Sequence, residues 1–69
     1  MEGMDIELNG QPKRMEAGAS IFDLLAKEGL AERRVAVEVN GEIIPRSLHA
    51  THALAAGDRV EIVHALGGG

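Results

Sequence analysis

The chain has 69 residues, 45% of them apolar and 26% charged, with a formal net charge of −4 and no cysteine. That length makes one small domain, near the lower limit for folding on a hydrophobic core alone. The missing cysteines exclude disulfide staples, a thiolate metal site and a cysteine nucleophile. One Phe is the sole aromatic residue. With the acidic balance, this argues against nucleic-acid binding, which needs stacking platforms and basic faces. No apolar run approaches the roughly 20 residues of a membrane helix, and the acidic start carries no signal-peptide pattern. A soluble, cytoplasmic protein is expected. It is too poor in convergent polar groups to be a self-sufficient enzyme.

Met4-Asp5-Ile6-Glu7-Leu8 alternates apolar and polar residues, the mark of a half-buried strand with Met4, Ile6 and Leu8 inward. Asn9-Gly10 then signals a type I′ hairpin turn. Gln11 to Glu16 return as a strand with Met15 inward, and Pro12 suits a sheet edge because it donates nothing to a ladder. Ser20 opens a short helix, with Asp23 placed to complete a capping box. Ile21, Leu24 and Leu25 share its apolar face, whereas Asp23, Lys27 and Glu28 lie toward water. Gly29 suits the left-handed residue that ends a helix, and Leu30 can fold back onto it.

Val35 to Val39 is a further strand, Asn40-Gly41 a second hairpin turn, and Glu42 to Ile44 a short strand ended by Pro45. Ser47 to Leu54 are expected to form a turn or two of helix. Arg59 to His64 form the last strand, with Val60 and Ile62 inward. The order β-β-α-β-β-β predicts an α+β domain: a mixed sheet of four to five strands with one main helix packed on one face.

Val63 and Leu66 fall off the inward register, and one of Ile43 and Ile44 must also face away. These residues read either as an apolar docking patch or as scattered surface aliphatics. His49 and His52 have an H-x-x-H spacing, yet a structural zinc site normally takes four protein ligands and nearby carboxylates are sparse. Surface histidines, and no metal, are expected; His64 is read as a strand residue at the rim. No P-loop, nucleophile elbow or dinucleotide fingerprint is present.

The chain ends His64-Ala65-Leu66-Gly67-Gly68-Gly69. Glycine-rich ends are commonly linkers. Alternatively, glycine's missing Cβ lets a chain pass a channel too narrow for other residues. Residues 65–69 reach about 17 Å when extended, at roughly 3.3–3.6 Å per residue. That suits a domain that stays on an enzyme's surface while its terminal carboxylate enters the active site. A mobile tail over 65–69 is expected, on a single domain that spans 1–69.

The whole chain resembles the ThiS sulfur carrier family of thiamin biosynthesis, within the ubiquitin-like β-grasp superfamily. "DIELNGQ" resembles that family's first hairpin and "GASIFDLLAKEGL" its helix and cap. "VAVEVNGEIIPRS" resembles its strand, turn and I-x-P-R exit, and "GDRVEIVHALGGG" its last strand and terminus. The resemblance implies a protein cosubstrate rather than a catalyst, monomeric when free and with no bound cofactor. Gly69 would be adenylated by a ThiF-type adenylyltransferase that uses ATP. It would then become a thiocarboxylate, with sulfur drawn from cysteine through a cysteine desulfurase, and thiazole synthase (ThiG) would accept the sulfur. Gly68 would give clearance beside it and Gly67 would extend that clearance; Ile43, Ile44, Val63 and Leu66 would contact partners. The family ends in Gly-Gly, so Gly67 is one glycine more. Its aromatic or valine approach to the tail is Val63-His64-Ala65-Leu66 here, with no aromatic. The rivals are the MoaD-type small subunit of molybdopterin synthase, a ubiquitin-like modifier of lysines, and a plain β-grasp interaction domain.

Overall fold

A computed structural model describes residues 2–64. The expectations for Leu66, Gly67, Gly68 and Gly69, and for a mobile tail over 65–69, lie outside the described residues. The elements are β1 (Gly3–Leu8), β2 (Gln11–Glu16), α1 (Ile21–Lys27), β3 (Val35–Val39), β4 (Glu42–Ile43), a 3₁₀ turn (Arg46–Leu48) and β5 (Arg59–His64). They form a five-stranded mixed sheet in the order β2-β1-β5-β3-β4. β5 lies in the middle, parallel to β1 and antiparallel to β3. Pro12 therefore sits on the edge strand, as its missing N–H requires.

The alternation seen in the sequence places the core. Met4, Ile6, Met15, Val37, Val39, Val60 and Ile62 are buried against Ile21, Leu24 and Leu25 of α1, with Leu8, Leu30 and Val35 packed at the margin. Burial of this apolar surface, at roughly 25 cal/mol per Å², is what a seven-residue helix depends on, because so short a helix is not stable alone.

Both ends of α1 are closed by named groups. The Ser20 hydroxyl accepts from the Asp23 N–H at 3.0 Å, and the Asp23 carboxylate accepts from the Ser20 N–H at 2.9 Å. The Ile21 and Phe22 N–H groups donate to the carbonyls of His52 and His49. At the other end Leu30 N–H donates to Leu25 and Gly29 N–H to Ala26, the paired bonds of a Schellman motif, with Gly29 at φ +77°. Glu28, expected toward water, is half-buried and pairs with Lys13 of β2.

The stretch expected to hold a turn or two of helix is different in detail. It forms the 3₁₀ turn and a run of turns to Thr51, then an isolated bridge between Ala53 and Ser20. Its carbonyls are engaged in capping α1, which competes with continuing their own helix.

Candidate functional site

β5 is the element that leads toward residues 65–69, and both hairpin turns hold it. Asn9 and Asn40 occupy the left-handed region, at φ +49° and +54°, each followed by glycine at positive φ. The backbone N–H of Asn9 donates to the Val60 carbonyl, and that of Asn40 to the Arg59 carbonyl. Their side chains add a second grip. Asn9 Oδ1 accepts from the Ile62 N–H at 2.8 Å, and Asn9 Nδ2 donates to the Ile62 carbonyl at 3.4 Å. Asn40 Oδ1 accepts from the Arg59 N–H at 2.9 Å, and its Nδ2 donates to Asp58 at 3.0 Å. Asp58 in turn accepts from the Ala55 N–H, which closes the turn before β5. The Asn-Gly pattern accounts for both asparagines as turn residues. It does not announce their reach to β5.

The face of the sheet away from α1 is open. Paired residues share a face. The registers Ala36↔Val63, Glu38↔Glu61 and Glu38↔Ile43 therefore put Val63, Ile43, Glu38 and Glu61 on one surface near the end of β5. Val63 is 58% exposed and Ile43 69%. Of the isoleucine pair it is Ile43 that faces away. Ile44 packs against the core, and its N–H donates to the Val37 carbonyl, so it is removed from the exposed patch. Glu38 and Glu61 stand directly opposite one another between the two apolar residues, a like-charge pairing that disfavours the free sheet.

His49, expected on the surface, is a correction: it is 5% exposed, and its Nε2 lies 3.0 Å from the Ile44 carbonyl. A carbonyl can only accept, so this nitrogen carries the proton. The bond satisfies a buried imidazole and anchors the turn after β4. His52 is half-buried and is joined to α1 through its backbone. Among the described residues no three His, Asp or Glu side chains converge to hold a metal. A hollow of about 430 Å³ lies between the end of β2 and α1, around Met15, Asp23 and Lys27. Among the described residues no helix is long and apolar enough to cross a membrane.

A mixed sheet gripping one helix, with the last strand held between two hairpins, is the ubiquitin-like β-grasp architecture. The solved structure of a thiamine biosynthesis protein, ThiS, from Geobacter metallireducens superposes with a TM-score of 0.82 at 30% identity. That match covers 96% of this chain and 100% of the other. The sequence model of the ThiS family matches residues 6–69, and the chain belongs to that family.

Two relatives show how the domain occurs elsewhere. The Escherichia coli protein named sulfur carrier protein ThiS is 29% identical over 66 residues, covering 96% of this chain and all of that one. A thiazole synthase of Magnetococcus marinus is 41% identical over 66 residues, covering 96% of this chain. The chain spans only a fifth (20%) of that synthase's length.

Proposed function

We propose that this chain carries sulfur for thiazole formation in thiamin biosynthesis. Its chemistry lies in the Gly69 carboxylate. A carboxylate oxygen attacks the α-phosphorus of ATP on a ThiF-type activating enzyme, and pyrophosphate leaves. The resulting mixed anhydride makes AMP the leaving group at the acyl carbon. The terminal sulfur of a persulfide, formed from cysteine on a desulfurase, then displaces AMP to give an acyl disulfide. A thiol reductant cleaves its S–S bond, releasing the thiocarboxylate that thiazole synthase consumes. The chain contributes the acyl group, with Gly68 and Gly67 giving clearance, and acts as cosubstrate rather than catalyst.

The observation that carries this reading is the ThiS family match, which runs through residue 69 and so includes the glycines. The Magnetococcus relative supports thiazole synthase over molybdopterin synthase as the acceptor, because there a matching segment is part of a thiazole synthase chain. Ile43, Val63 and Leu66 are assigned to partner contact on the open face. With Glu38 and Glu61 between the first two, a fitting partner presents apolar groups around a basic one.

Intact-mass spectrometry of the chain incubated with activating enzyme, ATP, desulfurase, cysteine and a thiol reductant tests the carrier step. A mass gain equal to one oxygen-to-sulfur exchange at Gly69 is expected; its absence with a competent enzyme refutes the reading. Supplying the thiocarboxylated chain to thiazole synthase and to molybdopterin synthase then identifies the acceptor. Turnover by the first alone is the expected result.

A further inference from the structure

A second surface lies on the helix side of the sheet, where α1, the start of β3 and the 3₁₀ turn leave a groove of about 140 Å³. Phe22 and Val35 give it apolar lining, and Arg33 and Arg46 line it as well, with Ser47 next to Arg46 in sequence. No acidic residue lines it. That is a local reversal of charge in a chain with 11 acidic and 7 basic residues. Among the described residues neither arginine forms an ion pair; the pairs are Lys13–Glu28 and Arg14–Asp5. Phe22, the chain's one aromatic residue, is 45% exposed. Large aromatic side chains and arginines side by side are the composition of energetically important interface centres.

The groove is also preformed and well placed. Buried His49 lines it and is fixed by its bond to Ile44, and the Phe22 N–H is bonded to the His49 carbonyl. The floor of the groove is therefore fixed before binding, and the ordering cost falls on the exposed arginines. Val35 pairs with His64, so the groove opens beside the end of β5.

We infer that this groove docks an acidic segment of the sulfur-accepting thiazole synthase, with an apolar side chain against Phe22 and Val35 and carboxylates on Arg33 and Arg46. The inference rests on the sulfur-carrier reading. Two partners act in turn on one carboxylate. A synthase held on the helix side leaves the open face, with Ile43 and Val63, clear for the activating enzyme. The Magnetococcus relative, in which the domain belongs to the synthase chain, is the limiting case of a synthase that never leaves.

The test uses the full chain and purified thiazole synthase, with affinity measured by calorimetry at low and high salt. The Arg33→Glu/Arg46→Glu double variant is expected to bind about tenfold or more weakly, since reversed charges now face carboxylates. Wild-type affinity is expected to fall with salt, and ATP-dependent pyrophosphate release by the activating enzyme to stay at the wild-type rate. Phe22→Ser, which leaves the charges alone, is expected to weaken synthase binding without the change in salt dependence. Both arginines are exposed, and circular dichroism checks that the variants fold. Wild-type binding that neither variant weakens overturns the groove and leaves the carrier reading standing. An equal loss toward both enzymes also overturns it. No binding of wild type to the synthase overturns both this inference and the choice of acceptor.

Discussion

The two Asn-Gly hairpins share a turn and differ in their returning strands. The first returns in full: all six residues of β2 pair with β1. The second returns for two residues, pairing only Glu38↔Ile43 and Val39↔Glu42, and then leaves the sheet at Pro45. Identical turn chemistry therefore sets only the reversal. The fate of the returning strand is decided by the residues beyond the turn, where Pro45 has no N–H and Ile44 is drawn into the core. The long hairpin builds the sheet. The short one exposes Ile43 on one side and, through the 3₁₀ turn, Arg46 on the other. The first hairpin's Asn9 makes two side-chain bonds to the backbone of β5 where Asn40 makes one, and the second hairpin carries the candidate partner surface.

The grip of each asparagine on β5 breaks or sharpens this division. Glycine is the right replacement, because it removes the side chain and keeps the positive φ at no steric cost. Asn9→Gly is expected to cost about 1–3 kcal/mol, since Ile62 is buried and its N–H and carbonyl lose their partners. Thermal unfolding would show it as a drop of several degrees, at about 4–8 °C per kcal/mol for a domain this small. A loss no larger than that of the matching change in the second hairpin would remove the asymmetry.

Asn40→Gly is the matching change, with an expected cost of about 0.5–1.5 kcal/mol. Arg59 and Asn40 are exposed, so water can replace the lost bonds. Gly10→Ala and Gly41→Ala provide the internal control. An added Cβ meets no atom within 4 Å at either position, so only the positive φ, +84° and +88°, is penalised. Equal losses of about 1 kcal/mol are expected, read from the shift in urea midpoint. Unequal losses would mean that the turns themselves differ.

Much of this was legible in the sequence because it is local. Alternation marked the inward residues Met4 and Ile6 of β1 and Val60 and Ile62 of β5, and Ser20, Asp23 and Gly29 marked the ends of α1 at their observed places. What could not be read is non-local. Asn9 and Ile62 are separated by 53 positions, and nothing near Asn9 announces the contact. His49 reads as a surface residue because its burial depends on the loop crossing the first turn of α1, a packing event that no spacing encodes. The choice between Ile43 and Ile44 awaited the register of a two-residue strand, since a slip of one position exchanges the faces. Arg33 and Arg46 belong to different segments and become one surface only when the 3₁₀ turn folds beside the helix.

The smallest effect on stability is expected at Ile43, and there it is the most informative. Ile43→Asp removes an apolar side chain that the fold hardly uses but sets a carboxylate directly opposite Glu38, so unfolding should cost about 0.2–1 kcal/mol less. The substitution also adds a third carboxylate beside Glu38 and Glu61 on the open face, which removes apolar area and strengthens the acidic field at once. If the activating enzyme reads that face by apolar contact, its affinity for the chain falls. If it reads charge alone, affinity holds or rises at low salt. Titrating the activating enzyme with wild type and Ile43→Asp at two ionic strengths separates the two. A loss that persists at high salt is expected, because apolar contacts are insensitive to screening at a Debye length of about 3–10 Å. Unchanged affinity at both strengths would take Ile43 out of the partner surface and leave the second hairpin its groove alone.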